Sequence, residues 1–440
     1  MNCATIQPRH SVPGRTVARQ LYTLIYSLLL PLIVARLWWR GRANPGYRQR
    51  IAERFGFLPH RPQPGGLWVH AVSVGETLAA AQFVKQFMEQ NPDTPVIITS
   101  TTPTGSEQVK RIFGERVFHM YLPYDLPRFI NRFIRSISPG ALVIIETELW
   151  PNLLASCAKH DLPVILANAR LSEKSARGYG KVSALTRPML HSLSKVAVQN
   201  STDGQRFIEL GLPTGRLNVT GSVKFDVTVP EGCHQQGVAL RGQWGADRPV
   251  LALASSHPTE DEQLLDIYPA LEKAIPGLLL LLIPRHPERF EPVTNAARSR
   301  HLRVHRRTNG NVSDDIQIYV ADTMGEMLNM LAAADVVVMG GSLYPGGGGH
   351  NPIEPAALGK ATLIGAEHIN FTSIVNELTD AGAMAVCENL TALQDEVIRL
   401  LNDRDAREAM GQKGQEVVET NRGAVTQLLG LVKEQLSGQA

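Results

Sequence analysis

Acidic side chains follow two apolar, strand-like runs in the first half of the chain. Glu76 comes shortly after residues 67–72, and Glu146 comes directly after residues 141–145. Because α/β proteins bind ligands at the carboxyl ends of parallel strands, both carboxylates are placed to reach a substrate. A carboxylate in this position can act as a general base. For Glu76, a structural role in the first turn of a helix remains an alternative.

Two further residues extend this candidate site. Glu148 lies just beyond Glu146 and before Pro151, and two acids at the end of an apolar strand are costly to bury without partners. One of them could instead cap the helix that Pro151 can open. Lys224, in residues 221–226, could neutralise a departing phosphate, although a lone lysine near a linker is more often simply solvated.

The most distinctive segment leads from an apolar run, residues 336–339, through a glycine-rich loop to a helix start. The loop contains four successive glycines, Gly346 to Gly349, and ends at Asn351-Pro352-Ile353-Glu354. Glycines let backbone N–H groups approach a ligand, and a helix N-terminus favours a phosphate. Glu354 could accept hydrogen bonds from a ribose diol. The segment predicts a nucleotide site, although a flexible loop with a dipole-stabilised glutamate would have the same pattern.

Other segments of the second half offer groups for a phosphate or a base. Arg285 follows an apolar run and could donate to a phosphate in fork geometry. Residues 254–260 occupy the equivalent place after another such run. Residues 322–327 predict a helix start in which Thr323 and Glu326 form a capping box, and its N–H groups would also suit a nucleotide.

Several classes of protein are not indicated. The four cysteines are scattered, no Cys/His cluster has metal-ligand spacing, and the D-x-D at residues 403–405 is predicted to lie on a solvated helix face. No G-x-x-x-x-G-K-[ST] loop occurs, so a P-loop NTPase is not expected. A net charge of +3 is too small to indicate nucleic-acid binding.

The elements that must position these residues follow a regular order. The 440 residues suffice for two or three domains. Strand-like apolar runs alternate with helix-like periodicity over residues 67–199 and again over residues 250–386. This alternation predicts an α/β fold of two doubly wound, Rossmann-like domains with parallel sheets, facing a cleft. The polar, turn-rich residues 227–247 are predicted to separate them, with a linker near residue 228.

An apolar segment precedes these domains. Residues 21–39 begin with an uncharged stretch, and several arginines follow. A membrane-spanning helix needs roughly 20 apolar residues, and Pro31 and Arg36 weaken the case for a straight span. A single anchor and a helix lying in the membrane interface therefore both remain open, with an ordinary buried helix as a further alternative. The basic flank favours the cytoplasmic side.

Five motifs and this hydrophobic segment stand in the order seen in one family, and the resemblance covers essentially the whole chain. Together they resemble the 3-deoxy-D-manno-octulosonic acid (Kdo) transferases of lipopolysaccharide biosynthesis. The motifs are Ser73-Val74-Gly75-Glu76, Glu146-Thr147-Glu148-Leu149-Trp150-Pro151, Pro284-Arg285-His286-Pro287-Glu288-Arg289, Gly325-Glu326-Met327 and His350-Asn351-Pro352-Ile353-Glu354-Pro355.

The resemblance implies roles for individual residues. Glu76 falls on the family's general base, and Glu146 and Lys224 fall on positions thought to stabilise the transition state. The positions that fall on the CMP-binding segments are Pro284, Arg285, Gly325, Glu326, Met327, Asn351, Pro352, Ile353 and Glu354.

The resemblance also implies a GT-B-like organisation. Residues 1–45 would form the membrane anchor or interfacial helix, and residues 46–228 the acceptor-binding domain. Residues 229–422 would form the CMP-sugar donor domain. Residues 423–440 would form a C-terminal helix that can cross back to the first domain.

The implied activity is inverting transfer of Kdo from CMP-Kdo to a tetra-acylated lipid A precursor (lipid IVA), at the cytoplasmic face of the inner membrane. No metal or other cofactor is expected, and membrane lipid is the other expected partner. Alternatives are an epimerase or a different membrane glycosyltransferase on the same architecture, or a catalytically silent, membrane-bound nucleotide sensor. The sequence does not predict the oligomeric state.

Overall fold

The structure of the protein is a computed structural model that describes residues 16–42, 44–313 and 315–437. Its contacts divide the chain into two compact units. One comprises the described parts of Met1–Asp226 and Arg422–Ala440, and the other those of Val227–Asn421. Each unit contains a seven-stranded sheet whose strands pair in parallel. The prediction of doubly wound α/β domains is confirmed.

Before residue 227, the described part of the first unit has seven strands and eight helices. The strands are β1 (Leu67–His70), β2 (Val96–Ser100), β3 (Phe118–Tyr121), β4 (Ala141–Ile145), β5 (Val164–Ala169), β6 (Lys195–Val198) and β7 (Leu217–Val219). The helices are α1 (Val17–Arg40), α2 (Val74–Gln90), α3 (Pro103–Phe113), α4 (Pro127–Ile137), α5 (Pro151–Lys159), α6 (Glu173–Lys181), α7 (Ser183–Ser192) and α8 (Ser201–Glu209).

The second unit repeats this plan. Its strands are β8 (Val250–Ser256), β9 (Leu279–Pro284), β10 (Val304–Arg306), β11 (Ile318–Val320), β12 (Val336–Met339), β13 (Ala361–Gly365) and β14 (Met384–Cys387). Its helices are α9 (Cys233–Trp244), α10 (Pro258–Ala274), α11 (Phe290–Ser299), α12 (Met327–Ala333), α13 (Ile353–Ala357), α14 (Thr372–Asp380), α15 (Leu390–Asn402) and α16 (Arg404–Asn421). The last helix, α17 (Ala424–Ser437), belongs to the first unit.

Short 3-10 turns connect several of these elements. Those in the first unit are Pro45–Arg48, Ile51–Phe55, Thr214–Arg216 and Val223–Phe225, and those in the second unit are Pro287–Arg289 and Arg307–Asn309.

The strand orders place one topological switch point in each sheet. The first sheet has the order β3-β2-β1-β4-β5-β6-β7, so the chain reverses its winding between β1 and β4. The second has the order β10-β11-β9-β8-β12-β13-β14, with the reversal between β8 and β12. Ligands of such sheets bind beyond the carboxyl ends of the two strands that flank the reversal. The loops after β1, β4, β8 and β12 are therefore the places where a site is expected.

The central strands are buried on both faces, as parallel sheets covered by helices require. Every residue of β1, β4, β8 and β12 is buried. This burial fixes the strand ends, and hence the loops beyond them, in a rigid frame.

The chain returns to the first unit at its C-terminal end. The Asp226 carboxylate accepts hydrogen bonds from the backbone N–H groups of Gly423 (2.7 Å) and Val425 (2.6 Å), which caps the start of α17. Leu428 and Val432 of α17 are buried in the same apolar cluster as α2 and β4. The helix therefore contributes to the core of the first unit.

Two sequence expectations about elements were wrong. The segment predicted as a polar break contains α9, a helix without a marked apolar stripe that packs on α12. A Cβ at Gly237 of α9 would lie 2.7 Å from that of Ala332, so this packing depends on close approach of the two helices. A helix does begin within residues 322–327, but α12 starts only at Met327 with Glu326 at its N-cap, so Thr323 and Glu326 do not form the predicted capping box.

Candidate functional site

Glu76 lies in the first turn of α2, immediately beyond β1, and is 7% exposed. Its Oε2 accepts a hydrogen bond from the Val72 backbone N–H at 2.7 Å, and its Oε1 accepts one from the Ser73 hydroxyl at 2.8 Å. The Ser73 hydroxyl oxygen in turn accepts from the Glu76 N–H at 3.4 Å, which caps the helix. The carboxylate is therefore held in one orientation, and each of its oxygens keeps a lone pair that can accept a further hydrogen bond.

The environment of Glu76 suits a base that works near neutral pH. Burial, together with the smaller effect of the charges of Glu146 and Glu148, raises the pKa of its carboxyl to about 7, although the hydrogen bonds from Val72 and Ser73 lower it. Glu148 is itself partly buried, accepts a hydrogen bond from Trp150 Nε1 at 3.1 Å, and has a raised pKa for the same main reason. The carboxylates after β1 and β4 are thus brought together at the first switch point.

Glu146 and Lys224 form an ion pair, with 3.8 Å between Lys224 Nζ and Glu146 Oε1. Glu146 has φ of 61°, a left-handed conformation that few residues other than glycine adopt. Such strain persists only where the surrounding structure imposes it, and it is concentrated at functional sites. Lys224 lies in the 3-10 turn Val223–Phe225, which the Ser222 hydroxyl caps through the Lys224 N–H.

Asn168 supports this pair and was not identified from the sequence. It is buried at an irregularity near the end of β5, with φ of 53°. Its Oδ1 accepts a hydrogen bond from the Val223 N–H at 3.2 Å, which fixes the turn that carries Lys224. Within the described residues its Nδ2 has no hydrogen-bond partner. The sequence signal was weak, because a polar residue ending an apolar strand is common.

In the second unit, Arg285 follows β9 and its N–H donates to the Ser256 carbonyl at 3.1 Å. This places Pro284 and Arg285 beside the end of β8. Burial raises the pKa of Glu354, in the first turn of α13, to about 7, while the charge of Arg285 and a hydrogen bond from Asn351 lower it. Arg285, Asn351 and Glu354 therefore lie together, as a nucleotide site would require. Asn351 Oδ1 also accepts from the N–H of Ile353, next to Pro352, at 3.2 Å.

Residues 325–327 also lie near the carboxyl end of β8. Met327 Sδ lies 3.4 Å from the hydroxyl of Ser255, the penultimate residue of β8. Gly325 has φ of 85°, which forms the turn before α12. Glu326 pairs with Arg307 at 3.3 Å and accepts a hydrogen bond from the Thr323 hydroxyl, and the Thr323 bond is the main cause of its lowered pKa. The side chain of Glu326 is thus already engaged.

The glycine-rich loop differs from the expectation. The N–H groups of Gly341, Ser342 and Leu343 donate to the buried carboxylate of Glu260, at 2.8, 2.9 and 3.1 Å. They are therefore not available to a phosphate, and the idea that this part of the loop cradles one was wrong. The glycine run instead allows close packing, because a Cβ at Gly347 would lie 2.2 Å from the Gly341 carbonyl oxygen.

Among residues 16–42, 44–313 and 315–437, no group of three or more His, Cys, Asp or Glu side chains is arranged to hold a metal ion.

Comparison with known proteins gives the class of the molecule. Residues 299–417 match the glycosyl transferases group 1 family. The chain is similar in fold to MurG of Acinetobacter baumannii, with a TM-score of 0.55, 13% identity, and coverage of 84% of this chain and 100% of that one. With two parallel seven-stranded sheets, the fold is GT-B-like. The protein is a glycosyltransferase.

The family follows from more specific similarity. Residues 49–227 match the family described as 3-deoxy-D-manno-octulosonic-acid transferase (kdotransferase). The chain is 40% identical over 422 residues to the 3-deoxy-D-manno-octulosonic acid transferase of Haemophilus influenzae, covering 95% of this chain and 99% of that protein. It is 35% identical over 434 residues to that of Bordetella pertussis, covering 96% and 100%. The chain belongs to the Kdo transferase family and acts in lipopolysaccharide synthesis.

Proposed function

We propose that this enzyme transfers Kdo from CMP-Kdo to a tetra-acylated lipid A precursor, lipid IVA, by direct displacement with inversion and without a metal ion. Membership of the Kdo transferase family supports Kdo as the transferred sugar. One observation carries the mechanism. Glu76 is a buried carboxylate with a pKa raised to about 7. It lies close enough to the Glu146–Lys224 ion pair for the charge of Glu146 to contribute to that rise.

The proposed reaction uses the first unit for proton transfer and charge stabilisation. Glu76 removes the proton from an acceptor hydroxyl, and that oxygen attacks the anomeric carbon of Kdo. The bond between the anomeric carbon and the phosphate oxygen breaks, and its electron pair leaves with CMP. Lys224, held by Glu146 and by the Asn168-supported turn, supplies positive charge where negative charge develops.

The second unit is proposed to bind the nucleotide. Glu354 accepts hydrogen bonds from the ribose hydroxyls, and Arg285 beside it donates to the phosphate. Gly325 to Met327 and Asn351 to Ile353 contribute backbone and side-chain contacts near the end of β8 and the start of α13. These residues lie beyond the carboxyl ends of β11, β9 and β12, on both sides of β8 in one sheet, and nucleotides bind at such strand ends in these folds.

The helix α1 is proposed to hold the enzyme at the cytoplasmic face of the inner membrane. It is 24 residues long and apolar enough to cross a bilayer. However, one of its faces contacts the first unit. The Thr23 hydroxyl donates to Asn152 Oδ1 at 3.1 Å, and partly buried residues recur on the same side of the helix at Tyr26, Leu30, Ile33 and Leu37. The opposite face exposes leucines, with Leu28 71% exposed. Contacts along one face favour a helix lying in the interface.

The test is a transfer assay on the purified full-length protein with CMP-Kdo and lipid IVA in the presence of EDTA, followed by mass spectrometry. The lipid should gain one or more Kdo masses, and nuclear magnetic resonance should find the anomeric configuration opposite to that of the donor. Product that forms only after magnesium is restored would contradict metal independence. Absence of product in both conditions would contradict the donor and acceptor assignment.

A further inference from the structure

Two histidines occupy the switch point of the second sheet. His257 follows β8 directly, and His350 ends the glycine-rich loop that follows β12. The carboxyl ends of these two adjacent strands are where a ligand of this sheet is expected. The ion pairs and the nucleotide-binding residues described above do not include either histidine.

The two imidazoles are coplanar and hydrogen-bonded. Their planes differ by 6°, and Nε2 of His257 lies 3.0 Å from Nε2 of His350. When both rings are neutral, one carries its proton on Nε2 and the other carries its proton on Nδ1. The neutral pair therefore presents a single Nδ1–H group. A pair that takes up one more proton presents an Nδ1–H group on each ring and a positive charge. Neither Nδ1 has a hydrogen-bond partner among the described residues.

Glu260 holds both histidines in place. Its carboxylate is fully buried and accepts a hydrogen bond from the His257 N–H at 3.0 Å as well as from the N–H groups of Gly341, Ser342 and Leu343. It thus ties the end of β8 to the base of the loop that carries His350. The Gly341 carbonyl accepts the Gly349 N–H at 2.7 Å, which brings His350 back towards His257.

The surroundings of the pair are rich in cations. Burial, followed by the charges of Arg285, His257 and His286, lowers the pKa of His350 to about 4, and burial is also the main cause of a lowered pKa at His257. The free pair is therefore neutral at pH 7. A bound anion would favour the protonated pair and raise its pKa. The titratable or charged groups that act on the two rings from the surrounding elements are Glu260, Arg285, His286, Arg289 and Tyr344.

We propose that His257 and His350 form an oxyanion-binding element of the donor site that takes up a proton when the anionic donor binds, with Glu260 as its positioning residue. The identity of the donor rests on the proposed function. CMP-Kdo has two anionic groups that such an element can bind, the phosphate and the carboxylate of the sugar. Each requires hydrogen-bond donors and positive charge, and the protonated pair supplies both.

The test measures binding of cytidine, CMP and CMP-Kdo to the full-length protein by calorimetry at pH 7, in buffers with different enthalpies of ionisation. CMP-Kdo binding is measured without acceptor. The variants are His257→Gln and His350→Gln, since glutamine retains a hydrogen-bonding amide but cannot be protonated. The binding of CMP or CMP-Kdo should be accompanied by more proton uptake in the wild type than in the variants. Any proton change on the ligand itself is the same for all proteins and cancels in this comparison. Losing a charged hydrogen bond should weaken binding roughly ten- to hundredfold.

The ligand series separates the two sources. If the pair binds the phosphate, the variants lose affinity for CMP but not for cytidine. If it binds the sugar carboxylate, they lose affinity only for CMP-Kdo. The control variant is His301→Asn, because His301 is exposed beyond α11 and its φ of 60° suits asparagine. It should leave all three affinities unchanged.

Glu260→Gln tests the positioning role, because an amide replaces one of the two accepting oxygens. It should lower affinity for the same ligand as the histidine variants and remove the same proton uptake. If Glu260→Gln does not fold, the histidine variants still decide the proposal. Wild-type protein that binds CMP, with variants of equal affinity and equal proton uptake for all ligands, would overturn this proposal alone. Wild-type protein that binds neither CMP nor CMP-Kdo would overturn the donor assignment as well.

Discussion

The switch points of the two sheets have the same topology and opposite chemistry. The first presents acids after β1 and β4, with Lys224 as the cation that pairs with Glu146. The second presents imidazoles after β8 and β12, with Arg285 nearby. Parallel sheets supply the same fixed strand ends in both cases, so the side chains placed there decide the chemistry. The first switch point is therefore suited to removing a proton, and the second switch point is suited to binding an anion.

Of the substitutions that test this difference between the two switch points, Glu76→Gln should lower transfer activity the most. The amide cannot accept the proton of the acceptor hydroxyl, so kcat should fall by about a thousandfold, within the range for loss of a general base. The affinity for CMP should stay the same, because the nucleotide is assigned to the other unit. Steady-state transfer assays and calorimetry measure the two quantities. The matched control is Glu89→Gln at the exposed end of α2. Near-normal turnover of Glu76→Gln would contradict the assignment.

Lys224→Met should have the next largest effect. It removes the cation paired with Glu146, and loss of one group that stabilises transition-state charge should lower kcat by about a hundredfold. The measurement is kcat at saturating donor and acceptor, with the exposed Lys181→Met as the control. A rise in KM with unchanged kcat would instead assign Lys224 to substrate binding.

Glu354→Gln tests the second switch point and should have a smaller effect. If its carboxylate accepts hydrogen bonds from the ribose, CMP affinity should fall roughly tenfold while kcat at saturating donor changes little. Calorimetry with CMP and with 2′-deoxycytidine monophosphate measures the interaction, since the variant should discriminate less between them. Exposed Glu388→Gln is the control. Unchanged discrimination in Glu354→Gln would exclude contact with the 2′-hydroxyl.

The smallest expected effect concerns pH. Because the pKa of Glu76 is raised to about 7, the base is protonated and inactive at lower pH, and kcat/KM should rise as pH increases through about 7. Glu148→Gln removes one of the charges that raise this pKa, so the inflection should move to lower pH. Rates between about pH 5.5 and about pH 9 measure this shift. An inflection that stays in place would show that Glu148 does not act on the base.

The sequence was most informative where a local pattern had a fixed structural meaning. The apolar runs before Glu76, Glu146 and Arg285 are strands, and these residues lie at or just beyond their carboxyl ends. It was least informative where contacts between residues far apart in the sequence determine the conformation of a loop. The turn of Lys224 depends on Asn168, and the loop after β12 depends on Glu260, more than 80 residues away along the chain.

By itself, the sequence determined the α/β class, the strand ends that carry the acids, and the family, because strand periodicity and short motifs are local properties. Only the tertiary structure decided which strand ends are neighbours. The order of the second sheet places β8 beside β12, and this brings His257 to His350 across 93 residues of sequence. It also decided that the N–H groups of Gly341 to Leu343 serve Glu260, because a buried carboxylate must be satisfied by the donors nearest to it in space.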